Sequence, residues 1–129
     1  MNSAIYFDNL VTENDLLRQA FEIRNSAQSA YLSGLGNVRT VVIEIRSTTF
    51  GEPCALEVGG GRSDGEAYKI KCFIGDNHCG TLYIDNPAIP IITDSGYPLK
   101  IENGKTMIRL ECIEFEGEIF VKIAVVTDD

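Results

Sequence analysis

The sequence predicts a single α+β domain over residues 1–129, with one N-terminal amphipathic helix packed on a curved, mainly antiparallel sheet of about six to seven strands. Three observations predict this fold class. Apolar residues recur every three or four positions before residue 33, they alternate with polar residues after residue 40, and glycine-containing turns separate the alternating stretches. A length of 129 residues is typical of one domain and permits a core without cross-links.

The helix is expected over about residues 13–33. Thr12 is the expected N-cap, because Asp15 follows it at the spacing of a capping box. Gly34 should end the helix, and residues 4–8 are expected to form a short strand before it. The stripe that should face the core consists of Leu16, Ala20, Ile23, Ala27 and Ala30.

The chain after the helix is expected to be β structure. The glycine-rich segment 59–65 is expected to be a loop between two strands. Residues 85–98 carry three prolines, so we expect a long connection that takes no part in a sheet ladder. Alternation predicts strands at 41–46, 55–58, 68–74 and 79–84.

Two glycine-containing turns predict a C-terminal three-stranded meander. Asn103-Gly104 predicts a hairpin that pairs Leu99 with Ile108 and Ile101 with Thr106. A second two-residue turn at Glu116-Gly117 sets the register of the last two strands. The expected pairs are Leu110 with Ile123, Cys112 with Val121, Ile108 with Val125, Glu111 with Lys122, and Ile113 with Phe120.

Residues 119–126 are apolar on both faces apart from Lys122. This pattern has two explanations: the strand is central and covered on both sides, or a second subunit buries its outer face. We therefore expect a homo-oligomer, with an interface at Ile113, Phe120, Lys122 and Ala124.

The charge balance argues against two classes of partner. Eleven Lys and Arg against nineteen Asp and Glu give a formal net charge of −8, which disfavours nucleic acid and anionic membranes. The opening residues MNSAIYFDN have neither the basic nor the apolar region of a secretory signal. We therefore expect a cytoplasmic protein whose four cysteines are reduced.

Candidate catalytic and metal-binding residues are few. Cys72, His78 and Cys79 lie close in sequence, but adjacent His78 and Cys79 do not have the spacing of a zinc knuckle. Core cysteines and a histidine in a polar turn explain these residues, so we expect no metal and no cofactor. The glutamates at 111, 114, 116 and 118 are expected at a solvated hairpin end, and no catalytic residue is predicted.

A pocket between helix and sheet is a second candidate site. Arg39 lies on the inward parity of its strand, and Tyr31 and Tyr68 could converge near it. A buried arginine needs a partner, and an ion pair between Arg39 and a structural carboxylate is the alternative to a ligand pocket. If the protein binds an anionic ligand, Arg62, which follows the three glycines of segment 59–65, is the residue expected to contact it. A flexible loop without a ligand is the alternative explanation of this segment.

These observations favour a non-catalytic cytoplasmic binding or interaction module that self-associates and acts on a small ligand or another protein. The alternatives are an enzyme that uses a helix–sheet pocket on a small molecule, and an acidic inhibitor of a nucleic-acid-binding protein. The order of one helix followed by an antiparallel sheet is shared by many small folds of unrelated function, so fold analogy alone assigns no activity.

Overall fold

The computed structural model describes residues 3–62, 65–85 and 87–127, with backbone alone for residues 3–10. A short 3₁₀ turn, Gly65–Tyr68, precedes the third strand. The remaining elements are α1 Ser3–Ser33, β1 Val38–Ile45, β2 Cys54–Val58, β3 Lys69–Ile74, β4 Asn77–Tyr83, β5 Ile91–Ile92, β6 Leu99–Ile101, β7 Gly104–Phe115 and β8 Glu118–Val125.

The strands form two four-stranded sheets. Sheet A has the order β1-β7-β8-β5, and sheet B has the order β4-β3-β2-β6. Neighbouring strands are antiparallel except β5 and β8, which are parallel. The predicted α+β class is confirmed, with eight strands in the described residues where about six to seven were expected.

Helix α1 packs on the inner faces of both sheets. The predicted stripe is confirmed, since each of its five residues is at most 2% exposed. The helix begins at Ser3, so the predicted strand at 4–8 and the predicted N-cap at Thr12 are wrong. No glycine or proline interrupts residues 1–33, and the helix therefore continues through the local capping signal. At the other end the Asn37 amide donates to the carbonyls of Ser33 and Gly34.

The core lies between the helix and the two sheets. Sheet A and sheet B both contribute alternate residues to it, as period-two strands require. Its fully buried members include Ile23, Ile43, Leu56, Ile70, Ile84, Ile89, Ile91, Ile101, Ile108, Leu110 and Val121.

The β7–β8 hairpin has the predicted register in all five pairs, from Ile108–Val125 to Ile113–Phe120. Glu116 and Gly117 both have positive φ, 53° and 83°. Two consecutive positive φ values are typical of the type I′ turn that matches the twist of paired strands.

The predicted Asn103-Gly104 hairpin is wrong. β6 pairs with β2 in sheet B, where Ile101 lies opposite Leu56, whereas β7 pairs with β1 in sheet A. Residues 102–103 therefore carry the chain from one sheet to the other. β7 finds eight partners along β1, far more than the three that β6 could offer.

The connection at 85–98 also differs from its prediction, because Ile91 and Ile92 join sheet A as β5. Pro90, which precedes β5, takes part in the ladder through its carbonyl oxygen, because Val121 N donates to Pro90 O at 2.9 Å. A proline lacks only the donor, so it can lie next to a strand that receives hydrogen bonds at that position.

Candidate functional site

A cleft of about 640 Å³ lies on the outer face of sheet B. It is placed where β2, β3 and β6 run side by side, next to the β3–β4 turn. The residues that line it are Pro53, Cys54, Ala55, Glu57, Phe73, Gly75, Asp76, Lys100, Glu102 and Asn103.

The floor of the cleft is apolar. Ala55 lies directly opposite Phe73 in the β2–β3 ladder, so a small side chain leaves the ring of its partner partly uncovered. On its other side Phe73 contacts His78, with ring centroids 5.3 Å apart. The His78 Nε2 atom is 2.7 Å from Thr81 Oγ1. These contacts hold the floor between two strands.

The walls of the cleft are joined by hydrogen bonds. Gly75 N donates to Pro53 O at 2.7 Å, which ties the β3–β4 turn to the loop before β2. The same loop is closed by Glu52 N, which donates to the hydroxyl of buried Thr48 at 3.0 Å. Asn103 Nδ2 donates to Ser47 Oγ, which joins the segment between β6 and β7 to the loop before β2. The cleft is therefore preformed.

The charges that line the cleft are mainly negative. Glu57, Asp76 and Glu102 supply carboxylates, and Lys100 supplies one amine, 3.4 Å from Glu102. Lys71 lies opposite Glu57 in the ladder, but its amine contacts Glu66.

Glu66 is not among the lining residues, although its pKa is clearly shifted. A hydrogen bond from Lys71 lowers the pKa of the Glu66 carboxyl below its usual range. The amine of Lys71 is therefore paired with Glu66 and not with a carboxylate of the cleft. The cleft itself keeps an excess of negative charge.

No protein-family model, curated protein or solved structure matches this chain. In the part of the chain that the structure describes, no helix is both long enough and apolar enough to cross a membrane.

The three residues predicted for the helix–sheet pocket lie on three different elements, Tyr31 on α1, Arg39 on β1 and Tyr68 in the 3₁₀ turn. Arg39 donates to the hydroxyls of Ser29 and Ser33 at 3.0 and 2.8 Å, so it binds the last turns of the helix, and no carboxylate among the described residues forms an ion pair with it. Tyr31 lies in the same helical segment and packs partly buried against the core. Tyr68 was expected on a strand, but it lies in the 3₁₀ turn before β3 and is 39% exposed.

Arg62, the residue expected to bind an anion, contacts the β7–β8 hairpin. Its guanidinium lies 3.1 Å from a carboxylate oxygen of Glu116 and 4.1 Å from the centroid of the Phe115 ring. An ion pair and a cation–π contact together fix this side chain at the end of sheet A. Arg62 therefore does not line the cleft.

The predicted interface residues lie on the outer face of sheet A. Phe120 is 2% exposed within one chain, whereas Ile113, Lys122 and Ala124 are half-buried. The amine of Lys122 contacts Asp94 at 2.9 Å. Phe120 is therefore already covered without a second subunit.

The residues considered for zinc lie on β3 and β4. His78 is the second residue of β4, where a turn was expected, and its side chain is exposed. Cys72 faces the core at 4% exposure. Within the described residues, no three His, Cys, Asp or Glu side chains are grouped closely enough to bind a metal ion.

The cleft was not predicted from the sequence. Its outward residues follow from the alternation of β2 and β3, but their neighbour Lys100 enters through β6. The Asn103-Gly104 signal assigned β6 to the wrong sheet. The sequence signal for the cleft is the small residue Ala55 opposite the large residue Phe73. This signal can be used only when the β2–β3 register is known.

Proposed function

We propose that the protein is a non-catalytic binding module, and that the cleft on the outer face of sheet B takes a small cationic ligand with an apolar body. The observation that carries this proposal is the combination of an apolar floor with an excess of carboxylates at one preformed cleft. Ligand pockets in proteins commonly combine apolar walls with a few polar groups that fix orientation.

The arrangement suits an aromatic or aliphatic amine. An apolar body would replace water over the half-buried ring of Phe73, and its cationic group would lie near Glu57 and Asp76. In the described residues neither carboxylate has an ion-pair partner, so both are available to a ligand. An anionic ligand would meet repulsion from the same groups.

Benzylamine is expected to bind in the cleft more tightly than benzyl alcohol or benzoate, which share its ring. The measurement is an NMR titration of the isotope-labelled chain. Chemical-shift changes should concentrate on residues 53–57, 73–76 and 100–103. Equal binding of benzoate, or shift changes centred on another surface, would contradict the proposal.

Glu57→Gln and Asp76→Asn should each weaken benzylamine binding about two- to fivefold, the range of an exposed ion pair. Benzyl alcohol binding should change little, because the alcohol carries no charge. Glu118→Gln is the matched control, since Glu118 is an exposed residue of β8 outside the cleft lining. A similar loss of affinity in that control would indicate a general charge effect.

Self-association through the outer face of sheet A is a second candidate function. Three apolar side chains form a row across β1, β7 and the residue after β8: Val42 lies opposite Met107, and Val126 N donates to Met107 O. They are 55%, 45% and 38% exposed, in the order Val42, Met107, Val126. Ion pairs Arg46–Glu44 and Arg109–Glu111 flank the row, so the nearby charges are already paired.

Met107→Glu is expected to convert a wild-type dimer into a folded monomer, since a charge would have to be buried at the centre of the row. Light scattering coupled to size-exclusion chromatography measures the mass, and circular dichroism checks the fold. Leu32→Glu is the control, because Leu32 is 70% exposed on the helix. A wild-type monomer at high protein concentration would exclude this second function.

A further inference from the structure

Two of the four cysteines lie next to each other where the β3–β4 ladder is irregular. Cys72 pairs with Gly80 and Phe73 with His78, so Cys79 is the extra residue of a bulge. In a bulge, two residues of one strand oppose a single residue of the other. Cys79 and Gly80 therefore both lie opposite Cys72.

Both thiols face the core side of sheet B. Cys72 belongs to the core cluster, and Cys79 packs against that cluster while remaining partly exposed. The two side chains line a cavity of about 260 Å³ together with Glu13, Asn14 and Leu17 of helix α1. By strict alternation the Cys79 side chain would point outward from the sheet. The bulge instead turns it toward Cys72 across the ladder.

We propose that Cys72 and Cys79 form a reversible disulfide, with a low-molecular-weight disulfide such as oxidised glutathione as the oxidant. Regularly opposed residues in antiparallel strands, such as Cys72 and Gly80, have Cα atoms about 4.5–5.5 Å apart, which falls within the range that a disulfide spans. The bulge places Cys79 next to Gly80 on the same side of the ladder. The cavity under helix α1 supplies the space in which the sulfurs can meet. This site is independent of the proposed ligand cleft on the outer face of the same sheet.

The reaction has two exchange steps, and electrons and atoms balance. The Cys79 thiol, which is the more exposed, loses its proton, attacks one sulfur of oxidised glutathione and releases one molecule of glutathione. The Cys72 thiol then loses its proton, attacks the Cys79 sulfur and releases the second glutathione. Two protein thiols are oxidised and one glutathione disulfide is reduced.

Burial sets the rate of this exchange. Desolvation raises the pKa of Cys72 to about 12, and it also raises the pKa of Cys79. The thiolate is the attacking species, so both steps should be slow at neutral pH and faster under mildly alkaline conditions. The disulfide is therefore expected to form slowly at neutral pH even when the oxidant is present.

The test incubates the reduced, folded full chain with oxidised glutathione at mildly alkaline pH, quenches with acid and measures the intact mass. The expected product has lost two hydrogens and carries no glutathione, and digestion with a protease that cleaves after Phe73 should yield a peptide pair joined through Cys72 and Cys79. Excess dithiothreitol should restore both thiols. An unreacted chain, a persistent glutathione adduct on Cys79, or a bond to another cysteine would overturn the proposal.

Single serine variants test the order of the two steps. Cys72→Ser should retain one glutathione on Cys79, because the resolving thiol is missing. Cys79→Ser should form neither the adduct nor the bond, and it changes a partly exposed residue, so the fold is expected to survive. Cys54→Ser and Cys112→Ser are controls that should still form the Cys72–Cys79 bond, since both of these thiols lie outside the cavity lining. Loss of the bond in either control would contradict the assignment.

Discussion

Replacing Phe120 with alanine is expected to reduce the free energy of unfolding by about 3–5 kcal/mol, the usual cost of removing a large buried aromatic side chain. Phe120 is 2% exposed in a single chain, although its strand position places it on the outer face of sheet A. Denaturation by urea, followed by circular dichroism, measures the loss. The midpoint should fall while the slope stays unchanged.

Ile119→Ala provides the control for this prediction. Ile119 is the preceding residue of the same strand and is 39% exposed, so its truncation should change stability by less than about 1 kcal/mol. Light scattering on both variants separates the two explanations of the apolar strand. If the Phe120→Ala variant keeps its stability but no longer forms an oligomer, the claim that Phe120 is buried within a single chain would be contradicted. That result would support the predicted interface.

The features predicted correctly depend on residues that are close in sequence. The buried stripe of α1 follows from a period of three to four residues, and the β7–β8 register follows from a two-residue turn at Glu116-Gly117. In both cases the spacing of neighbouring residues is enough to decide the structure.

The features predicted incorrectly depend on competition between distant segments. Asn103-Gly104 is a strong local hairpin signal, yet the outcome depends on whether β7 pairs with β6 or with β1. Residues 38–45 are about sixty positions away, and no pattern near Asn103 indicates that they will pair with β7. The same error concealed the ligand cleft, whose lining requires Lys100 to lie beside β2.

The proline-containing connection shows a related limit. Proline was expected to exclude residues 85–98 from the sheets, but Pro90 contributes its carbonyl to β8 and Ile91 is fully buried. The direction in which each backbone group points at a strand end is a property of the assembled ladder. Sequence alone therefore could not place β5.

Gly59→Ala is expected to be strongly destabilising, because two separate constraints act at this position. Gly59 has a φ of 73°, a backbone conformation that costs other residues about 1–2 kcal/mol. A Cβ atom there would also lie 2.5 Å from the carbonyl oxygen of Ile91, which is backbone and cannot rotate away. Forced displacement in a packed region costs about 1–3 kcal/mol more. A total loss of about 2–5 kcal/mol should follow, measured by urea denaturation.

Gly36→Ala separates these two constraints. Gly36 has a φ of 85°, close to that of Gly59, but a Cβ atom there would meet nothing within 4 Å. It should therefore show the conformational cost alone, and the difference between the two variants isolates the contact with β5. The carbonyl of Ile91 already accepts a hydrogen bond from Gly60 N at 3.1 Å, so any shift of β5 would also strain that bond. Equal losses in the two variants would mean that β5 moves freely, and its close contact with Gly59 would then contribute nothing to stability.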